Sequence, residues 1–373
     1  MKRLLCTLLA AVMLFSLCAC GKTADNAGES SDGAETHIVV DHSGNEVEVP
    51  NEINRIVVCD IYPLPSVLSV FFDSADKIVG MAGPSMLAAQ NSLLSELYPE
   101  ILNAKTEFID GTEINMEELI KLEPDVVFYS TSQPDEGEMF AKAGIPAIAI
   151  SVNKWGYNSI ETLNNWIALL SEMFPANDKA ELVKEHSDRI YRTVQERVAN
   201  IPDDERAKAF FLFQYNDTTL LTSGKQFFGQ WWAEAIGAVN VAEELASDNS
   251  VAVNMEQIYA WNPDLIFITN FTPATPDTLY NNSIGNYDWS GVDAVVNHNV
   301  HKMPLGMYRS YTPGIDTPIT LMWLAKAAYP QLFEDIDIIS ETKDYYKEVF
   351  GIELSDEQAE AIFAPSAEAG RLS

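Results

Sequence analysis

The sequence is poor in basic residues and in cysteine. Its 23 lysines and arginines face 55 aspartates and glutamates, which gives a formal net charge of −32 at pH 7. Such an acidic chain repels nucleic acid and anionic membrane surfaces, so neither is expected to bind it. Cys59 is the only cysteine after residue 20. A lone thiol cannot form an intramolecular disulfide, and we expect Cys59 to be a buried free cysteine in a strand.

The most apolar run near the N-terminus is too short to span a bilayer. Residues 4–17 follow Lys2 and Arg3 and precede small residues, whereas a membrane-spanning helix needs about 20 apolar residues. This pattern is typical of a secretory signal peptide, here 1–19. Residues 17–20, Leu-Cys-Ala-Cys, resemble the lipobox of bacterial lipoproteins, which implies cleavage before Cys20 and attachment of a lipid to its thiol. We therefore expect a lipid-anchored protein on the outer face of the cytoplasmic membrane, with residues 20–36 as a flexible tether.

Recognisable catalytic and metal-binding patterns are also missing. The chain has no Gly-x-Ser-x-Gly elbow, P-loop, His-Glu-x-x-His or glycine-rich dinucleotide motif, so neither an enzyme nor a cofactor is predicted. Of five histidines only His298 and His301 are close in sequence. Without a cage of histidines and carboxylates, a preassembled chelate is favoured over a bare metal ion. A surface enzyme or an adhesin is the alternative from another functional class.

Short apolar segments alternate with helical segments in two parts of the chain. The predicted strands are 55–60, 77–83, 124–131 and 145–151 in the first part, and 207–213, 263–270 and 301–306 in the second. Because they are apolar throughout, they indicate parallel sheets covered by helices on both faces. The fold class is α/β, and we predict two three-layer α/β lobes, 37–175 and 202–373. Residues 176–201 join them, mostly as one long helix of about 24 residues.

One segment occurs twice, 139 positions apart. INMEELIKLEPDVVFY, residues 114–129, returns as VNMEQIYAWNPDLIFI, residues 253–268. In both copies an asparagine is expected to cap a helix, and Pro-Asp to end it and turn into a strand. Glu117 and Glu256 then lie in the first helical turn. There each carboxylate interacts favourably with the helix dipole and stabilises the helix by about 0.3–1 kcal/mol. This interaction alone explains the presence of a glutamate in each copy.

The order of several segments resembles a known family. These are VVDHSGNEVEVP with RIVV, then KIVG, both repeat copies, AGIPAIAI, GQWWAEAIGAVNVA and PITLMWLAKAAYPQLF. The chain is similar to the substrate-binding lipoproteins of ABC importers with the class III periplasmic-binding fold, which carry metal chelates. The resemblance implies a ligand cleft between the lobes and a monomer that delivers its ligand to a permease dimer. It also implies that Glu117 and Glu256 dock onto permease arginines, with Glu118 as a substitute in the first lobe.

A ferric siderophore is the ligand we predict first, and corrinoid, haem or an oxyanion such as molybdate are the alternatives. Ligands of parallel sheets lie beyond the carboxyl ends of the strands. That rule selects the candidate contacts Asp60, Tyr62, Ser85, Ser132, Gln133, Trp155, Tyr215, Trp231, Asn270, Phe271, Tyr308, Arg309 and Tyr311. Arg309 could hold a carboxylate or catecholate bidentately, and aromatic rings could flank a flat chelate. Core packing is the competing interpretation for Tyr215, and for Trp231 or its neighbour Trp232.

Overall fold

Two parallel four-stranded sheets organise the chain, whose computed structural model describes residues 35–111 and 113–371. The N-lobe sheet has the strand order Ile78–Met81, Ile56–Val58, Val126–Ser130 and Ala147–Ile150. The C-lobe sheet has the order Val239–Asn240, Lys208–Leu212, Leu265–Ile268 and Val300–Lys302. In each sheet the first strand along the chain lies between the second and the third, so the two lobes share one topology. The predicted signal peptide and Cys20 lie outside the described residues.

The strands of both sheets are buried, as parallel strands covered on both faces should be. Val126–Ser130 and Leu265–Ile268 are buried along their whole length. Cys59, directly after Ile56–Val58, is a buried free cysteine, as predicted. The α/β fold class predicted from the apolar segments is confirmed.

Helices cover the sheets, and small antiparallel pairs lie beside them. The α-helices are Leu64–Phe72, Gly83–Gln90, Leu93–Leu97, Met116–Lys121, Pro134–Lys142, Ser159–Met173, Ala180–Val198, Phe228–Ala235, Met255–Trp261, Pro276–Tyr280, Asp293–Val296, Thr317–Ala328, Ile338–Tyr345 and Asp356–Phe363. Single-turn 3₁₀ segments are Pro99–Asn103, Pro175–Asn177, Asp203–Glu205, Pro330–Leu332 and Ala367–Gly370, and Tyr346–Phe350 is a π-helix. The minor strands are Thr36–Val40, Glu46–Pro50, Ile109–Asp110, Glu113–Ile114, Gln214–Tyr215, Leu220–Ser223 and Ser250–Ala252. None of the helices in the described part of the chain is both long and apolar enough to cross a membrane.

The long helix between the two sheets is shorter than its sequence pattern predicts. It is Ala180–Val198, 19 residues rather than about 24, because Pro175–Asn177 forms a separate 3₁₀ turn before it. Its length is thus about 28 Å at 1.5 Å per residue. The helix packs on Ser159–Met173 of the first part of the chain and on Thr317–Ala328 of the second. It therefore connects the lobes through apolar contacts on both sides.

The two copies of the repeated segment have equivalent structures. Asn115 caps its helix by accepting the backbone N–H groups of Glu117 and Glu118 at 3.1 and 3.3 Å. Asn254 caps the second helix in a reciprocal capping box. Both caps are as predicted. The first helix has only six residues and buries Leu119 alone. Its neighbour Ile120 is therefore half exposed, although it is apolar.

The repeated aspartates do more than form the expected turn. The carboxylate of Asp125 accepts the backbone N–H groups of Asn54 and Arg55 at 2.7 and 2.9 Å. In the second lobe Asp264 accepts the N–H of Lys208 at 2.8 Å. Each aspartate therefore fixes the start of the neighbouring central strand. This contact joins residues more than fifty positions apart, and local sequence reasoning did not predict it.

Candidate ligand site between the lobes

A loop that follows the last strand of the C-lobe sheet lies at the centre of the site. This loop, residues 305–312, is called the site loop below. The buried carboxylate of Asp316 accepts the backbone N–H of Met307 at 2.7 Å. The indole of Trp232 donates to the carbonyl of Tyr311 at 2.9 Å. Buried polar partners at both ends thus hold the site loop in one conformation.

Arg309 of the site loop has free donors although it is buried. Only 1% of the residue is exposed, and its Nη2 donates to the backbone carbonyl of Arg371 at 2.8 Å. Its Nε and Nη1 have no hydrogen-bond partner. The guanidinium carbon lies 4.9 Å from the centre of the Phe271 ring, a cation–π contact. Burial lowers the pKa of Arg309, but a guanidinium remains charged at neutral pH, so the site contains a buried cation with two free N–H groups.

Tyr308 adds a third donor beside Arg309. It is 3% exposed, and its hydroxyl has no partner. Burial, the main cause, raises the pKa of Tyr308 to about 12 in spite of the opposing effect of Arg309. The hydroxyl is therefore protonated at neutral pH and can donate.

Direct contacts join the lobes around the site loop. The backbone N–H of Leu93 donates to the carbonyl of Gly306 at 3.0 Å. Further along, the hydroxyl of Tyr157 donates to the carbonyl of Asp248 at 2.7 Å, and its ring lies 4.8 Å from that of Phe228. The lobes are therefore in direct contact at two places, through hydrogen bonds and aromatic packing.

An aromatic wall lies next to Arg309 in the C-lobe. The Phe213 ring is 5.0 Å from Phe271, 5.5 Å from Tyr311 and 5.6 Å from Phe227. Phe271 and Tyr311 were candidates from the sequence, whereas Phe213 and Phe227 were missed. Phe213 directly follows a strand of the C-lobe sheet. The rule that ligands lie beyond the carboxyl ends of parallel strands therefore also indicates Phe213.

Two carboxyl groups approach each other on the N-lobe side. Asp60 follows a central strand, and Glu136 lies in the first turn of Pro134–Lys142. One carboxyl oxygen of each is buried without a partner. Burial and then the neighbouring Asp60 raise the pKa of Glu136 well above its ordinary value. Glu136 therefore keeps its proton to a higher pH than an ordinary glutamate. The rule that ligands lie beyond strand ends, called the strand-end rule below, indicates Asp60 but not Glu136. Glu136 lies on a helix, and only the packing of that helix places it near Asp60.

Lys302 holds the loop that carries Phe271. Its Nζ donates at 2.6 to 2.9 Å to three carbonyls of this loop, those of Thr269, Thr272 and Ala274. Three acceptors use all three protons of an ammonium group. Burial and then the charge of Arg309 lower the pKa of Lys302 to about 7. Below that pH Lys302 adds a second positive charge near Arg309, which favours an anion in the site.

Four other predicted contact residues are held within the protein by at least one hydrogen bond or by core packing. The hydroxyl of Tyr215 donates to one carbonyl and accepts from one indole. The amide nitrogen of Asn270 donates to two carbonyls, while its Oδ1 is buried without a partner. Ser85 donates to the carbonyl of Tyr62. Trp231 packs against its neighbour in the core. These four are not among the contacts that we propose below.

The remaining candidates lie at the rim. Ser132 and Gln133 are exposed, and the Trp155 ring is 5.0 Å from that of His42. Within residues 35–111 and 113–371 no group of three or more histidine, cysteine, aspartate or glutamate side chains is arranged to hold a metal ion. His301 instead shares a hydrogen bond of 2.7 Å with an asparagine.

The two repeated glutamates are available to a partner. Glu117 and Glu256 are exposed at the N-termini of their helices. Glu118 is half-buried and pairs with Lys121 at 2.6 Å. Between the two acidic residues of the first copy, Glu117 therefore has the freer carboxylate.

Comparison with known sequences identifies the family. A profile described as periplasmic binding protein matches residues 74–305, more than half of the chain. The chain belongs to the periplasmic binding protein family. The family predicted from the ordered segments and the repeat, solute receptors of ABC importers, is thereby confirmed.

The relatives of this periplasmic binding protein are named for different solutes. The molybdate-binding protein MolA of Haemophilus influenzae is 26% identical over 335 residues, covering 84% of this chain and 90% of the relative. Its structure with bound molybdate has a TM-score of 0.72 and covers 86% of this chain and 99% of its own. The iron(3+)-hydroxamate-binding protein FhuD of Bacillus subtilis is 26% identical over 319 residues, covering 82% and 92%. A periplasmic solute-binding protein of Veillonella parvula has a TM-score of 0.78 at 29% identity, covering 88% and 97%.

Proposed function

We propose that this periplasmic binding protein captures a small oxyanion of the molybdate class between its lobes and delivers it to an ABC permease. The observation that carries this proposal is the buried guanidinium of Arg309, whose Nε and Nη1 have no partner. Buried N–H groups without a partner are costly, and a bound anion would satisfy them. The nearby hydroxyl of Tyr308 supplies another donor.

The burial of these donors favours a small ligand over the ferric siderophore that we predicted first. Arg309, Tyr308 and Tyr311 are each 3% exposed or less, so a large chelate requires the lobes to separate. A tetrahedral oxyanion needs only a few donors around one centre. The similarity to MolA supports this ligand class, and the local charge of Arg309 and Lys302 is positive in an otherwise acidic protein.

A ferric siderophore is the second candidate because of the aromatic wall. Phe213, Phe227 and Phe271 form a surface suited to a flat or apolar chelate. The similarity to FhuD supports this alternative.

Anchoring and docking complete the proposal. Cys20 would carry the lipid, and the protein would act as a monomer at the outer face of the membrane. Glu117 and Glu256 would contact arginines of the two permease subunits, one from each lobe. Their exposure and equivalent positions support this assignment.

Calorimetric titration tests the ligand class. Sodium molybdate is expected to bind saturably with one site per chain, and sodium chloride at the same ionic strength is expected to give no signal. A ferric hydroxamate is the second titrant. Binding of the hydroxamate without binding of molybdate would overturn the oxyanion proposal in favour of the second candidate.

A further inference from the structure

The segment 365–371 near the C-terminus lies against the ligand site and contacts both lobes. This segment is called the strap below. Its 3₁₀ turn Ala367–Gly370 packs on the helix Gly83–Gln90 of the N-lobe. At its end Gly370 packs against the backbone of Thr272 and Pro273 in the C-lobe. The strap therefore crosses from one lobe to the other beside Arg309.

The strap binds Arg309 through its main chain. The carbonyl of Arg371 accepts the Nη2 of Arg309 at 2.8 Å. The Arg371 side chain is engaged elsewhere, in an exposed pair with Glu368 at 2.7 Å. The contact thus depends on the path of the backbone and not on the side chain at position 371.

Gly370 permits the close approach of the strap. A Cβ at this position would overlap the carbonyl of Thr272. That carbonyl is itself fixed, because it accepts the Nζ of Lys302 at 2.6 Å. Any larger residue at position 370 must therefore displace the strap, since its backbone neighbour has little freedom to move.

The residues before the strap are attached independently. The backbone N–H of Leu305 donates to the carbonyl of Ile362 at 2.8 Å, and Gln358 donates to Glu96 of the N-lobe at 2.6 Å. The helix Asp356–Phe363 is thus held by contacts that do not involve the strap. A change confined to the strap should leave this helix in place.

A pocket that is open to solvent lies beside the strap. A cavity of about 200 Å³ is bounded by Phe271 and Thr272 on one side and by Gly370 and Arg371 on the other. Phe271 is also the ring that stacks on Arg309. Phe271 thus contacts both this pocket and Arg309.

We propose that the strap determines ligand size: it closes one side of the site, occupies Nη2 of Arg309, and leaves Nε and Nη1 to hold a small anion. This inference rests on the proposed function, since it assigns to Arg309 the role of principal ligand contact. Its structural part, that the strap covers Arg309, does not require a ligand.

Chemical labelling tests that structural part first. Phenylglyoxal modifies accessible arginines, and peptide mass spectrometry would follow the modification of Arg309. Two strap variants are compared with the unaltered protein: Gly370→Val, and a chain that ends at residue 364. Arg371→Ala is the matched control, because it alters the same segment but keeps the carbonyl. We expect Arg309 to react at least tenfold faster in both strap variants and at the original rate in the control.

Titration tests the size selection. In the strap variants we expect molybdate affinity to fall about tenfold, and the affinity for a ferric hydroxamate to be maintained or increased. Equal protection of Arg309 in all four proteins would overturn the strap proposal, as would an unchanged ratio of the two affinities. If neither probe binds the unaltered protein, the proposed function fails, whereas the labelling result still decides whether the strap covers Arg309.

Discussion

Replacing Arg309 by methionine should abolish most of the affinity for an anion while leaving the fold intact. The wild-type guanidinium offers two free N–H groups, Nε and Nη1. A hydrogen bond to a charged group contributes about 1.5–3 kcal/mol, so the two together contribute at least about 3 kcal/mol. At about 1.4 kcal/mol per tenfold change, Arg309→Met should weaken binding about a hundredfold.

The stability of the variant should change little. Methionine loses the bond to the Arg371 carbonyl, but it also removes a buried charge with unsatisfied donors, and its unbranched side chain can still pack on Phe271. Arg309→Lys should be intermediate, with a loss of about tenfold, because it keeps the charge but not the planar fork of donors.

Calorimetry with sodium molybdate measures the effect, and thermal unfolding checks that each variant is folded. Arg192→Met is the control, because Arg192 is an exposed arginine on the linking helix Ala180–Val198. Titrations of Arg309→Met and wild type that superimpose would refute the assignment of Arg309 as the main ligand contact. A similar loss in the Arg192 variant would show a non-specific charge effect instead.

Three further predictions concern docking, pH and the repeated caps. Glu117→Arg combined with Glu256→Arg should abolish uptake in cells and keep ligand affinity; normal uptake would contradict docking. Because folded Glu136 keeps its proton where unfolded chains have lost it, stability falls as pH rises towards its raised pKa. The melting-temperature advantage of Glu136→Gln should therefore grow from about pH 5 to about pH 9, and a constant difference would refute the raised pKa of Glu136. Asn254→Ala should lower the free energy of unfolding by about 1 kcal/mol in urea titrations, and no change would refute its capping role.

The repeated segment illustrates how far local reasoning extends. Asn115 and Asn254 were predicted as caps because a cap acts on N–H groups two or three positions away. The aspartates at 125 and 264 were predicted only to form a turn. Their bonds to Arg55 and Lys208 join distant residues, and no local pattern indicates such a partner.

The residues of the candidate site also fall into two groups, those that were predicted from the sequence and those that only the fold identifies. The strand-end rule selected Asp60, Tyr308 and Arg309, because strand ends can be read from apolar periodicity. It also selected Tyr215, whose hydroxyl is bound within the C-lobe, since the rule contains no information on the neighbours of a side chain. For the same reason it missed Glu136.

The α/β class, the repeated topology, the capped helices and the family can be inferred from patterns along the chain. Burial of apolar strands and capping of helices act over a few neighbouring residues, so their signals are local. By contrast, the hydrogen bond from Arg309 to the Arg371 carbonyl and the proximity of Glu136 to Asp60 arise only in the folded chain. These neighbours are brought together by the packing of distant segments, and the chemistry of the cleft depends on that packing.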